Sequence, residues 1–198
     1  GKPSTHKRFN EATAILAGDA LHDLAFELLS GNLKKIKPNV NLKILNYLTL
    51  CTGNDGLAGG QSLDLLYENK KSSKKQILDM YQKKTGKLFE FSFAAPFIVT
   101  DQSVSRINFS KKYGLLFGVI FQIIDDLLDE INNFKKIGKT PGKDLKQGKR
   151  TLQSIIGKTK IIYYCEKMID EFLDKNKKEF KKNPILLKLL EFNIKRLR

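Results

Sequence analysis

Apolar residues recur at three- and four-residue spacing along almost the whole chain, and no other feature limits the possible folds so tightly. Ile15, Leu16, Leu21, Leu24 and Leu28 trace one such pattern over residues 10–29, which stops at Ser30-Gly31. Pro38 precedes a second pattern over 42–57, whose end is broken by Gly53, Gly56, Gly59 and Gly60. Ser72-Ser73 predicts a cap for a helix from 74 to about 95, closed by Pro96. The longest pattern runs from 103 to about 131, and a Gly- and Lys-rich loop follows over 132–150. Thr151 is the expected cap of a helix reaching about 180. Asn183-Pro184 places a cap and a first-turn proline before a last helix, 184–198. Strand-like alternation, repeats and linkers are absent. The 198 residues suit one domain, spanning 1–198, with a full core. The expected fold class is an all-α bundle, in which sites form from inward-facing residues of neighbouring helices.

The chain carries 36 basic against 21 acidic residues, a net charge of +15. Such an excess suits an anionic partner, and nucleic acid is one candidate. Two details argue against a nucleic-acid binder. Only Arg8, Arg106, Arg150, Arg196 and Arg198 are arginines, the residue favoured for bidentate base contacts. The lysines are scattered in pairs rather than gathered in a stripe. Cys51 and Cys165 lack ligand spacing and read as reduced core residues of a cytoplasmic protein. The longest apolar runs are too short to span a bilayer, so stable membrane insertion is not expected.

The stretch FQIIDDLLDE, residues 121–130, sets Asp125, Asp126 and Asp129 at the end of the longest helix. From Asp125 one face runs forward to Asp129 and back to Gln122, Gly118 and Gly114. Each glycine costs a helix about 1 kcal/mol relative to alanine, so something bulky is expected against them. A polar end beside a bare apolar end describes a groove for a ligand with an anionic head and a greasy tail. Asp170, Glu171 and Asp174 repeat the acidic spacing without the glycines and amid Lys167, Lys175, Lys177 and Lys178. That second cluster reads as a solvated face, so spacing alone is weak and the surroundings of Asp125 carry the signal. Carboxylates repel a diphosphate unless cations bridge them, and Mg2+ binds through one or two carboxylates plus phosphates. The loop GKTPGKDLKQGK adds Lys139, Lys143 and Lys149, each after a glycine. It is not a Walker A loop, because the glycine spacing is wrong and Arg150 stands where Ser or Thr is needed.

FQIIDDLLD resembles the second aspartate-rich motif of the trans-isoprenyl diphosphate synthases, the farnesyl and geranylgeranyl diphosphate synthase or polyprenyl synthetase family. Residues 1–29 resemble the segment after that family's first aspartate-rich motif. GLAGGQSLDL (56–65) resembles its GGQxxDL, KKTGKL (83–88) its KTG element, and GKTPGKDLKQGKRT (138–151) its basic loop. The resemblance implies an isoprenoid-synthase helical bundle around a central cavity. It also implies a Mg2+-dependent prenyltransferase of isoprenoid biosynthesis, joining an allylic diphosphate to isopentenyl diphosphate, in a homodimer.

By position, Asp125, Asp126 and Asp129 would be magnesium ligands, direct or through water. Lys84, Lys139 and Lys149 would hold the allylic diphosphate. Thr85 and Gln122 would line the region of the allylic cation. His6 and Arg196 would serve isopentenyl diphosphate. Gln61 and Asp64 would line the site or support Lys84. Each has a blander rival, such as an exposed terminal histidine at His6 or one lysine among many at Lys84. The family's first aspartate motif and its paired arginines do not occur in these residues, so the chain is expected to be N-terminally truncated and inactive alone. Thr151-Leu152-Gln153 stands where the family has Thr-Tyr-Pro. A non-catalytic subunit of a heteromeric prenyl synthase is an alternative, disfavoured by the three intact aspartates.

Overall fold

The computed structural model describes residues 2–31, 36–131 and 151–196 in full, and the helical course of 132–137. Every regular element among them is helical. In chain order these are α1 (Thr5–Arg8), α2 (Glu11–Ser30), α3 (Pro38–Thr52) and α4 (Leu57–Tyr67). Then come α5 (Lys74–Tyr81), a π-helical turn (Gln82–Gly86), α6 (Lys87–Val99) and α7 (Val104–Ile137). The C-terminal part holds α8 (Leu152–Ile156), α9 (Lys158–Lys175), α10 (Lys177–Lys182) and α11 (Pro184–Lys195).

Local chemistry sets most of these ends. Asn10 caps α2 by accepting from the Thr13 amide at 2.7 Å. Ser73 and Gln76 form a reciprocal capping box on α5, satisfying two otherwise unpaired amides. Pro184 sits in the first turn of α11, as expected, but the Asn183 side chain does not cap it and donates to the Glu179 carbonyl instead. Thr151 likewise makes no side-chain cap.

The expected helix over 42–57 is two helices. It breaks at Gly53, where α3 ends, and α4 restarts at Leu57 and carries the whole GGQSLDL stretch. The expected helix up to 180 is three. Gly157, at φ +92°, separates α8 from α9, and Asn176 separates α9 from α10. Pro96 does not close its helix, because α6 runs through it to Val99 with one backbone hydrogen bond fewer.

Helix α7 is the axis of the fold. Its buried residues Tyr113, Val119, Ile120, Ile123, Ile124 and Leu127 meet Ile77, Met80 and Tyr81 of α5. Leu152 of α8, Ile161, Cys165 and Ile169 of α9, Phe180 of α10 and Leu190 of α11 complete this core. A smaller core joins Val40 and Ile44 of α3 to Ala94 and Ile98 of α6. Both cysteines are free and buried, and burial pushes the Cys165 thiol up to about 12. Helix α2 buries none of its residues, and Ile15, Leu16, Leu21, Leu24 and Leu28 all stand exposed. Among the described residues, no helix is long and apolar enough to cross a membrane.

The glycine stripe of α7 does face something bulky, but not an open groove. A Cβ at Gly114 would lie 2.6 Å from the Phe89 carbonyl oxygen and 2.8 Å from the Glu90 Cα. One at Gly118 would lie 2.8 Å from the Gly86 Cα. Gly114 and Gly118 are buried under the backbone of α6 and the π turn, and their bare surfaces let two helices cross in near contact.

Candidate active site

The close crossing of α6 on α7 brings the π turn against Gly118 and Gln122, one turn before the acidic stretch of α7. A π turn holds one more residue than an α turn, and such bulges often sit at functional sites. Here it carries Lys84 and Thr85. Gly60 of α4 lies directly against it, since a Cβ there would come within 2.1 Å of the Lys84 nitrogen. Gly60 thus seats α4 on the turn, while Gly59 faces the Asn54 carbonyl of the preceding loop, and Asp64, one helical turn beyond Gly60, reaches Lys84. Lys84 Nζ donates to Asp64 Oδ2 at 2.6 Å, with both side chains mostly shielded. Of the two roles left open for Asp64, this geometry is the support of Lys84. Gln61 lies on the exposed side of α4.

Thr85 Oγ1 donates to Gln122 Oε1 at 2.6 Å, and Gln122 Nε2 donates to Asp126 Oδ1 at 2.7 Å. Asp126 Oδ2 accepts from the Tyr81 hydroxyl, which itself accepts from the Leu152 amide at 3.1 Å. Four elements therefore converge on one carboxylate: α5, the π turn, α7 and α8. Burial first, and then the Asp126 charge, push the Tyr81 hydroxyl far above its ordinary range.

Asp125 faces another way. Its Oδ1 accepts from Arg196 at 3.0 Å, and the guanidinium lies 4.1 Å from the centre of the Phe121 ring. Arg196 also donates to Asn193 Oδ1 at 3.4 Å, and Asn193 donates to the Phe117 carbonyl at 3.2 Å, which fastens α11 to α7. Phe121 packs on Phe89 at 5.3 Å, and Phe89 on Phe117 at 5.1 Å, so an aromatic wall borders Gln122 and Asp125. Asp129, one turn beyond Asp125, is exposed.

The structure thus gathers Lys84, Thr85, Gln122, Asp125, Asp126 and Arg196 around the C-terminal half of α7, which continues past the expected stop near 131 to Ile137. It does not bring His6 there. That residue is exposed on α1, with Ser4 Oγ at 3.3 Å as its hydrogen-bond partner. Lys139 and Lys149 lie outside the described residues. Sequence reasoning missed Tyr81. The signal was a tyrosine on the apolar face of a short helix, whose hydroxyl needs a partner once buried. The second acidic cluster is solvated as expected, with Asp174–Lys177 and Glu171–Lys167 pairs fully at the surface.

The donor set suits a magnesium ion shared with a ligand. Asp125 and Asp129 offer hard oxygens one turn apart on an accessible face. Among the described residues, no three His, Cys, Asp or Glu side chains converge into a closed metal cage. A cation at this pair would complete its shell with phosphate oxygens and water, the habit of Mg2+.

The chain is 35% identical over 161 residues to the farnesyl diphosphate synthase of Micrococcus luteus, covering 79% of this chain and 53% of that protein. It is 36% identical over 178 residues to a short chain isoprenyl diphosphate synthase of Methanocaldococcus jannaschii, covering 90% and 50%. The chain therefore spans about half the length of these curated relatives. Among solved structures, it resembles the geranyltransferase of Helicobacter pylori complexed with magnesium and isoprenyl diphosphate. That match has a TM-score of 0.79 at 26% identity, over 99% of this chain and 64% of the other. The geranyltransferase of Legionella pneumophila gives 0.80 at 29% identity, over 99% and 64%. The polyprenyl synthetase family model matches residues 1–189, so this chain belongs to the polyprenyl synthetase family.

Proposed function

We propose that the protein is, or forms the larger part of, a chain-elongating prenyltransferase that joins an allylic diphosphate to isopentenyl diphosphate. The observation that carries this reading is the convergence of Lys84, the Thr85–Gln122 dipoles and the Asp125 and Asp129 carboxylates beside an aromatic wall. The curated relatives are named as synthases of this kind.

Mg2+ bound by these carboxylates would neutralise the diphosphate and favour its departure with the C–O bonding pair. Asp125 and Asp129 would hold the ion, and Asp126, whose oxygens already accept from Tyr81 and Gln122, would act beside them. Lys84, fixed by Asp64, would place a positive charge on the leaving oxygens, where preorganised charge is worth most. The oxygens of Thr85 and Gln122 would face the allylic cation with their negative ends. Phe89, Phe117 and Phe121 would keep water from it. The double bond of isopentenyl diphosphate would then attack, forming one carbon–carbon bond, and a proton would leave to restore an alkene. Arg196 would serve the diphosphate of that second substrate, after leaving Asp125. Lys139, Lys149, His6 and Gln61 complete the proposed binding set by position in sequence.

The exposed apolar face of α2 supports a homodimer, and the two free buried cysteines suit the cytoplasm. The test is incubation of the longest natural polypeptide containing these residues with labelled isopentenyl diphosphate, an allylic diphosphate and Mg2+. Elongated product that falls by about 100-fold or more in Asp125→Ala is expected, the scale of removing one group that stabilises transition-state charge. Absence of product, or equal product from the variant, would refute the reading.

A further inference from the structure

We propose that Tyr81 is a positioning residue of the diphosphate site, whose hydroxyl locks the Asp126 carboxylate and ties it to the first turn of α8. The inference rests on the proposed function for its purpose, and on geometry for its substance. A phenol has one proton and two lone pairs. The Tyr81 proton goes to Asp126 Oδ2, and a lone pair takes the Leu152 amide at 3.1 Å. That amide is one of the unpaired N–H groups at the start of α8, and Thr151 makes no side-chain cap there. Tyr81 therefore supplies the cap from another helix.

The arrangement leaves Asp126 little freedom. Tyr81 is 1% exposed, so its hydroxyl has no water to turn to. If Asp126 rotated away, a buried hydroxyl would lose its acceptor, which is the expensive side of a hydrogen bond. The other oxygen is gripped in the same manner. Thr85 Oγ1 occupies Gln122 Oε1, so the amide of Gln122 must present Nε2 to Asp126 Oδ1. Asp126 is clamped at both ends, and α7 is fixed in rotation about its axis. That rotation decides where Asp125 and Asp129 point. The three aspartates then divide their work: Asp126 orients the helix end, while Asp125 and Asp129 meet the ligand. The same hydroxyl makes α8 sensitive to whatever strains the acidic turn.

The experiment is residue-resolved amide hydrogen exchange on wild type and Tyr81→Phe, without and with Mg2+ plus inorganic diphosphate. Phenylalanine keeps the ring that fills the core and removes only the hydroxyl. Exchange at Leu152 should quicken by about tenfold or more in the variant, the scale of a lost buried hydrogen bond. In wild type, Mg2+ and diphosphate should slow exchange both at 122–129 and at 152–156. In Tyr81→Phe they should slow only the first. An unchanged Leu152 rate, or an α8 response that survives the substitution, overturns the proposal. Asp125→Ala, run in parallel, separates the two claims. If it loses the ligand response while Tyr81→Phe keeps it at both segments, only the role of Tyr81 falls. If wild type shows no response, or Asp125→Ala responds like wild type, the diphosphate reading falls and takes this role with it.

Discussion

Replacing glycine by alanine should have opposite signs at two helical positions of this protein. Inside a helix open to solvent the change gains about 1 kcal/mol, because alanine loses less backbone freedom on folding. Gly18, in the middle of α2, meets that condition, since a Cβ there finds nothing within 4 Å. Gly60, in α4, does not. A Cβ at Gly60 would lie 2.1 Å from the nitrogen of Lys84, 2.5 Å from its Cα and 2.6 Å from the carbonyl carbon of Lys83. Carbon atoms in good contact sit about 3.5–4.0 Å apart, so α4 would have to retreat by more than 1 Å or so. All three obstacles are backbone atoms, and no rotamer change relieves them. Overpacking costs about 1–3 kcal/mol, and a backbone-only clash belongs at the upper end. Subtracting the propensity gain leaves Gly60→Ala about 2 kcal/mol less stable than wild type. For a chain of this size that corresponds to a fall of roughly 4–8 °C in Tm, against a rise of about 2–4 °C for Gly18→Ala. Both are read by urea and thermal unfolding followed by circular dichroism, at concentrations low enough to keep α2 free of a second copy. A Gly60→Ala protein as stable as wild type would refute the close seating of α4 on the π turn, and with it the support given to Lys84.

Three further outcomes are expected. Arg196→Ala frees Asp125 from a half-exposed ion pair, worth no more than about 1 kcal/mol. The Mg2+ concentration for half-saturation should therefore fall up to about fivefold, by calorimetry in the presence of diphosphate, while the KM for isopentenyl diphosphate rises; an unchanged metal affinity would count against competition at Asp125. Tyr47, Tyr81 and Tyr113 all have hydroxyls raised above the ordinary value of 10.0 by burial, so the folded protein holds protons that the unfolded chain releases. Stability should be unaffected by these groups below pH 10 and should decline above it, with tyrosinate absorbance from the three appearing only as the fold opens; early, reversible ionisation of the native protein would contradict their burial. Leu21→Lys should abolish self-association in sedimentation without lowering monomer stability, and an unchanged sedimentation profile would remove α2 from the proposed dimer contact.

Helix content was legible because periodic apolar spacing survives every local accident, and Asn10, Ser73 and Pro184 mark their helix starts as capping chemistry requires. The breaks were harder to see. Gly157 interrupts α8 and α9 through a positive φ that only the folded context selects, and α4 was hidden because its glycines read as a stop. One of them, Gly60, is instead a docking surface, a property of two segments at once. The same holds for Gly114 and Gly118, where the sequence announced a close neighbour without saying that it was α6. Gln122 and the aspartates were singled out by their shared helix face with Gly114 and Gly118, and Lys84 and Thr85 by motif alone. The pairing of Lys84 with Asp64 was one of two readings, because a lysine cannot reveal from sequence which carboxylate it will face. Tyr81 escaped notice since its partners, Asp126 and Leu152, stand far along the chain.

The π turn at Gln82–Gly86 has one more consequence. Upstream, α5 turns Ile77, Met80 and Tyr81 toward α7; downstream, α6 sets Phe89 and Glu90 against Gly114. The surplus residue between them keeps both halves of this rod in phase with the same neighbour. Losing any single residue from the turn would rotate one half by about 100° against the other, the angle of one residue in an α-helix. At Gln82 and Lys83 the phase, rather than the identity of the side chain, is the quantity under constraint. Point substitutions at Gln82 or Lys83 should pass almost unnoticed in a variant library, while every one-residue deletion from 82–86 is eliminated.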